Sequence, residues 1–161
     1  MNEHSLTRTE MLIGKEAVDK LKAAKIAIFG IGGVGGYVAE ALARSGVGRL
    51  LLVDNDTVNI TNLNRQIYAL HSTLGQYKVD VAEKRIKDIN PDCQVETKKM
   101  FYLPENADEI DLKVYDYVID CIDTVKAKLE LSRRCHKVNI PIICAMGAAN
   151  KMSAAGFRVV K

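Results

Sequence analysis

Apolar residues in this chain gather into short unbroken runs, and helical spacing fills the stretches between them. Ile26–Phe29, Leu50–Val53 and Tyr117–Ile119 are runs without in-and-out alternation, as expected of strands covered on both faces in a parallel sheet, and Ile142–Ala145 reads as a further strand. Between them Val34, Val38, Leu42 and Ser45 recur at helical spacing up to Gly46. Val79, Ala82, Ile86 and Ile89 do the same after Gly75, with Glu83 four residues before Lys87, and Val125, Leu129, Ser132 and Cys135 trace a third helix. Strand, turn, helix and strand form right-handed βαβ units. The prediction is an α/β fold: a doubly wound, mostly parallel Rossmann-like sheet with helices on both faces.

The remaining stretches are less regular. Val18 and Leu21 predict a short amphipathic helix over 15–24, preceded by an arm that holds Arg8. Gln94–Lys98 reads as a strand, and Pro104–Ile110 as one or two helical turns. Asn59–Thr73 is polar and Asn-rich with neither period, and a loop that long inside a compact domain is usually functional. After the small residues 146–156, Phe157–Val160 begins another apolar strand. A fold does not ordinarily stop there, so the C-terminal part is expected to be missing.

Size and charge narrow the picture a little. The 161 residues fit one domain with its own core. A net charge of +3 is far from the basic balance of a dedicated nucleic-acid binder. No apolar run approaches the roughly 18 residues needed to span a bilayer, which predicts no membrane insertion. The N-terminus M-N-E-H-S-L-T-R-T-E lacks the features of a secretory signal, so a cytoplasmic location is expected. Cys93, Cys121, Cys135 and Cys144 form no C-x-x-C pair, which argues against structural zinc. Three of them fall in apolar strand or helix patterns and read as small core residues. Cys121 stands apart, between Asp120 and Asp123.

The candidate chemistry begins at K-I-A-I-F-G-I-G-G-V-G-G, Lys25 to Gly36. A strand that stops in Gly30, Gly32, Gly33 and Gly35 and resumes as a helix is a phosphate cradle, because backbone N–H groups without side chains can approach an anion. Gly30, Gly32 and Gly35 also satisfy the dinucleotide fingerprint, and Asp54, paired with Asp56 at the end of the second strand, lies near where a ribose carboxylate would fall. Taken alone, these residues favour a nicotinamide or flavin cofactor.

Other residues point away from hydride transfer. The loop T-N-L-N-R-Q carries Arg65, whose planar fork suits phosphate oxygens, and Asn62, Asn64 and Gln66, which can bond a ribose or brace the loop. Lys78 opens the following helix. Asp120 and Asp123 stand at the end of a later strand, where ligands of open α/β sheets collect and where a carboxylate can hold magnesium. Two cations and a metal serve the negative charge that develops when a triphosphate is attacked at phosphorus.

The order G-x-G-G-x-G, D-x-D, N-x-N-R-Q, G-x-x-K, D-x-x-D resembles the ThiF/MoeB-like family related to ubiquitin-activating enzymes. The resemblance covers nearly the whole chain and implies one ATP-binding adenylation domain over residues 1–161, with ATP and Mg2+. It implies Gly30, Gly32, Gly33 and Gly35 at the phosphates, Asp54 and Asp56 toward the ribose, and Asn62, Asn64, Arg65 and Gln66 along ribose and phosphates. Lys78 would meet the phosphates and Asp123, beside Thr124, the metal, with Arg65, Lys78 and Asp123 as the catalytic set. Arg8 is similar to an N-terminal arginine that reaches the nucleotide of a partner subunit, which implies a homodimer.

The segments L-T-R-T-E-M-L-I-G, G-I-G-G-V-G-G-Y-V-A-E-A-L-A-R-S-G-V-G and N-x-N-R-Q-I-x-A-L look most like a branch of that family that acts on tRNA. In that branch the carboxylate of threonylcarbamoyl-modified adenosine is adenylated and then cyclised by dehydration. A second reading keeps adenylation but takes the C-terminal glycine of a ubiquitin-like sulfur carrier, with a sulfur-carrier or sulfur-relay protein as partner. The zinc-binding C-x-x-C pairs and the thioester cysteine of such relatives lie in later regions, so Cys121, Cys135 and Cys144 take no such role. A third reading is a non-catalytic nucleotide-binding domain or an NAD-binding Rossmann protein.

Overall fold

The structure, a computed structural model, describes residues 4–149 and 152–161. Two short helices, α1 (Thr7–Ile13) and α2 (Lys15–Ala23), lead into β1 (Lys25–Phe29), followed by α3 (Gly35–Arg44) and β2 (Arg49–Val53). After the Asn-rich loop come α4 (Lys78–Ile89), β3 (Gln94–Lys98), β4 (Tyr117–Asp120), α5 (Val125–Val138) and β5 (Ile142–Cys144). The strands form one five-stranded sheet in the order β3-β2-β1-β4-β5, and every adjacent pair is parallel.

The unbroken apolar strands are explained by two cores. On one face Ile26, Ile28, Leu50 and Leu52 pack with Ala39 and Ala43 of α3 and with Val79, Ala82 and Ile86 of α4. On the other, Ala27, Phe29, Leu51, Val53 and Val118 pack with Ala127 and Leu131 of α5. Successive residues of β1 and β2 thus alternate between two buried faces rather than between core and water.

Three readings of the chain change. The arm around Arg8 is helical, as α1, and none of its residues is buried. The segment 104–110 makes only a 3-10 turn, Ala107–Glu109. Yet Tyr102, Ala107, Ile110, Leu112 and Tyr115 are buried against the face covered by α5, so side chains anchored from an irregular segment do there what a helix does elsewhere. Arg134 of α5 braces it by donating to the carbonyls of Ala107 and Ile110. Phe157–Val160 forms no strand; Phe157, Val159 and Val160 are exposed, and no strand among the described residues supplies ladder partners for their backbone.

The strand order places a topological switch between β1 and β4. From β1 the chain winds outward through β2 to β3, then crosses back to β4 and winds the other way to β5. The carboxyl ends of β1, β2 and β4 meet there, the position at which open α/β sheets bind ligands. No helix among the described residues is long and apolar enough to cross a membrane.

Candidate functional site

The three glycines of the fingerprint have three different reasons for being glycine. Gly30 ends β1 with φ +87°, and a Cβ there would meet the Cys121 carbonyl oxygen at 2.7 Å. At Gly35 a Cβ would lie 1.8 Å from the carbonyl oxygen of Gly30, so α3 starts directly against the turn. At Gly32, by contrast, the nearest atom to an added Cβ is Gln66 Nε2, 3.7 Å away. The protein itself leaves room for a side chain at Gly32. Space kept open in front of a helix N-terminus is the fit expected of an anion cradle.

Asp54 shapes that cradle from the end of β2. Its Oδ2 accepts from the Ile31 N–H at 2.7 Å, and its Oδ1 from the Asp56 N–H at 2.8 Å. The carboxylate therefore ties the glycine turn to the next strand, a bracing role beside the ribose contact expected of it. Asp56 grips Lys78 twice: the Lys78 N–H donates to the Asp56 carbonyl at 3.0 Å, and Nζ lies 2.7 Å from Oδ2. Lys78 is only 5% exposed. A buried ammonium with a single carboxylate partner is held in place with capacity for further acceptors.

The Asn-rich loop folds over the glycines. Gly33 faces the stem of Arg65, with Cγ 3.8 Å and Cδ 3.9 Å from where its Cβ would be, and Gln66 is buried beside Gly32. Asn62 is buried and braces the loop: its Oδ1 accepts from the Asn59 N–H while Asn59 receives the Thr61 N–H, a capping box on the turn Ile60–Asn62. Arg65 uses only Nη1, to the Thr61 carbonyl and the exposed Asn64 side chain. Its Nε and Nη2 have no partner among the described residues.

The carboxylate pair after β4 divides. Asp120 is fully buried, accepts from the Ile122 N–H and pairs with Lys128 at 2.9 Å. It is a structural group, where the spacing had placed it beside Asp123 as a possible metal holder. Asp123 is exposed and forms no ion pair among the described residues; its contact is the Thr124 hydroxyl at 3.5 Å. No group of three or more His, Cys, Asp or Glu side chains among the described residues could hold a metal ion. A magnesium at Asp123 would therefore complete its shell with phosphate oxygens and water, as that ion commonly does.

Cys121 lies under the turn, its Cβ 3.3 Å from the Cβ position at Gly35. Burial, then the neighbouring Asp120 charge, pushes its thiol up to about 11. Cys144 is pushed up to about 11 by burial and by its hydrogen bond to Asp120, and Cys135 to about 11 by burial. None is poised as a thiolate.

Direct contacts thus bring together Gly30, Gly32, Gly33, Gly35, Asp54, Asp56, Arg65, Gln66 and Lys78, with Asp123 and Thr124 following the strand end that abuts Gly30. Arg8 lies elsewhere. Leu6, two residues before it, packs against Gly46, beyond the C-terminal end of α3, about 15 Å of helix away from the cradle. Reasoning from the sequence overlooked Tyr68, which is 3% exposed, and the backbone of Cys121. The apolar run I-Y-A-L after N-R-Q was a signal for the first; nothing in the spacing signals the second.

An anion cradle at the switch point of a parallel sheet, with a buried lysine and an arginine whose Nε and Nη2 have no partner among the described residues, defines a nucleotide-site α/β domain. The chain belongs to the ThiF family, which it matches over residues 6–157. It is 52% identical over 156 residues to the tRNA threonylcarbamoyladenosine dehydratase of Bacillus subtilis, covering 97% of this chain and 61% of the relative. It is 39% identical to the molybdopterin-synthase adenylyltransferase of Haemophilus influenzae, covering 83% and 54%. The Escherichia coli tRNA N6-threonylcarbamoyladenosine dehydratase, solved in complex with ATP, superposes with a TM-score of 0.87 at 39% identity, over 92% of this chain and 61% of that one. The chain thus spans only about half to three-fifths of the length of these relatives.

Proposed function

We propose that this chain is the ATP-binding adenylation domain, over residues 1–161, of a cytoplasmic enzyme that activates a carboxylate with ATP and Mg2+. The observation that carries the reading is the open space at Gly32 between Gln66, the Arg65 stem and the turn braced by Asp54. The likeness to two tRNA threonylcarbamoyladenosine dehydratases supports the threonylcarbamoyl group of modified adenosine in tRNA as the acceptor.

In the reaction a carboxylate oxygen bonds to the α-phosphorus, the bond to the bridging oxygen breaks, and pyrophosphate departs with the electron pair. Attack within the modification on the activated carbonyl then expels AMP, and ring closure is a net dehydration. The N–H groups of the cradle and the free Nε and Nη2 of Arg65 meet the charge that grows on the phosphates. Lys78, pre-aimed by Asp56, adds a fixed positive charge, and Asp123 anchors the magnesium. Such preoriented charges are typically the largest source of rate in phosphoryl chemistry.

A homodimer belongs to the same reading. Met11, Leu12 and Ile13 leave α1 with an exposed apolar surface, 73%, 85% and 45% accessible, and Arg8 makes no ion pair among the described residues and lies far from its own cradle. A second copy would cover the first and receive the second.

The test is ATP–pyrophosphate exchange. Supplied with threonylcarbamoylated tRNA or, in a second arm, a ubiquitin-like carrier protein as the carboxylate to be activated, the parent chain should exchange label, and Arg65→Ala, Lys78→Met and Asp123→Ala should each lose roughly 100-fold. Unchanged exchange in all three sinks the site assignment. Stimulation by threonylcarbamoylated tRNA, set against a ubiquitin-like carrier protein, decides the acceptor; stimulation by the carrier alone overturns the tRNA reading in favour of a sulfur-relay partner.

A further inference from the structure

Below the site, one buried carboxylate joins the elements that carry its parts. Glu40 of α3 is 8% exposed. Its Oε2 accepts from Arg85 Nε at 2.6 Å, and its Oε1 from Arg85 Nη2 at 2.9 Å. Oε1 also accepts from Arg44 Nε at 2.9 Å and Nη2 at 2.6 Å. Arg44 lies on α3 itself, four residues on, but Arg85 lies on α4, so only the Arg85 fork bridges two helices. A two-pronged fork on one carboxylate fixes orientation as well as distance.

Tyr68 sits within the same clasp. Glu40 and Arg85 are the charges its hydroxyl senses, and that hydroxyl has no hydrogen-bond partner among the described residues. Tyr68 therefore contributes shape rather than a bond. Its ring carbons, with Ile67 Cγ2, lie 3.5 and 3.1 Å from where a Gly36 Cβ would be, so the segment after Arg65 beds directly on the first turn of α3.

The spacing along each element makes the consequence specific. Glu40 is one turn from Gly36 and hence from the cradle, Arg85 is two turns along the same face of α4 from Lys78, and Tyr68 is three residues from Arg65. Both helices feed one apolar core, with Ala39 and Ala43 from α3 and Val79, Ala82 and Ile86 from α4, and apolar packing of that kind carries no direction of its own. We propose that Glu40 and Arg85 are positioning residues that set the spacing of the glycine cradle, Arg65 and Lys78. The proposal rests on the adenylation reading for its effect on rate, but not for its effect on the loop.

The test compares Arg85→Leu with Arg44→Leu. Each removes one guanidinium from Glu40, and only the first cuts the link between helices. Two readouts are taken on the whole chain: hydrogen exchange without nucleotide at the amides of Arg65, Gln66 and Ala69, which donate to Asn62 and Gln66 carbonyls, and ATP–pyrophosphate exchange at saturating ATP with threonylcarbamoylated tRNA present as the acceptor. Arg85→Leu should speed amide exchange in that loop and lower the saturating rate by about ten-fold, within the hundred-fold that a misplacement of about 1 Å can cost. Arg44→Leu should stay within about two-fold of the parent on both readouts, because Arg44 lies on α3 with Glu40 and its own largely exposed guanidinium links no second element. Equal behaviour of the two variants overturns the proposal. If Arg85→Leu does not fold, Arg85→Lys replaces it: it keeps the charge but loses the fork, and full parental behaviour on both readouts overturns the proposal equally. A parent chain without pyrophosphate exchange, combined with a loop loosened only by the Arg85 variants, would remove the adenylation reading and leave the clasp standing.

Discussion

Replacing Gly32 and Gly35 by alanine, one at a time, separates the ligand from the fold within a single motif. Gly32 has an ordinary φ and no protein atom closer than 3.7 Å to an added Cβ. Alanine there should leave the fold intact and even add about 0.4–1 kcal/mol by restricting the unfolded chain. Its methyl group would occupy the space where an anion meets the backbone. Losing one hydrogen bond to a charged group costs about 1.5–3 kcal/mol, or roughly 10- to 150-fold in Kd. Gly35 is the reverse case. A Cβ at 1.8 Å from the Gly30 carbonyl oxygen forces helix and turn apart by more than an ångström, and overpacking of this kind costs about 1–3 kcal/mol. At about 2–4 °C per kcal/mol for a domain of this size, melting should fall by several degrees. Thermal melting and calorimetric titration with ATP, run side by side on both variants, give the answer. If Gly32→Ala melts as low as Gly35→Ala, or binds ATP like the parent, the division of labour among these glycines is wrong.

Two further expectations follow from the titratable groups. Arg85 first, and then Arg44, hold the Glu40 carboxyl below its ordinary value of 4.5. A depressed carboxyl stabilises the fold above its unfolded value and loses that effect as the pH drops through its folded one. The melting difference between the parent and Glu40→Gln should therefore be full near neutrality and shrink below about pH 4.5; a difference that stays constant into acid refutes it. Cys121 and Cys144, both pushed up to about 11, should alkylate at about pH 8 on the order of 100-fold more slowly than a free cysteine. Rapid labelling of Cys121, followed by peptide mass spectrometry, would contradict its burial under the turn.

Much of this molecule was legible because its strands are short and two-sided. Leu50–Val53 has no alternation to misread, and Gly46 and Asn90-Pro91 end their helices where the chemistry of helix ends requires. The glycine motif raised the expectation of an anion, and Arg65 and Lys78 that of a phosphate. Pairing across the sheet was not legible. Asp120 and Asp123 look equivalent in sequence, and only the arrival of Lys128 one helix turn inside α5 separates a buried brace from an exposed carboxylate. Asp54 likewise reads as a ribose contact, and its bonds to two backbone N–H groups depend on how β2 ends beside β1. Phe157–Val160 has the composition of a strand but no neighbouring strand among the described residues, which composition alone does not reveal.

The central strand also orders events during folding. β1 pairs with β2 after one short crossover, but its pairing with β4 joins residues such as Lys25 and Asp116, whose bond spans 91 positions. Closing so long a loop is slow and entropically costly compared with the local β1-α3-β2 unit. Gly30 makes its tight contact with Cys121 across this late seam. The glycine turn therefore takes its final shape only once β4 has docked beside β1 and brought Cys121 against Gly30.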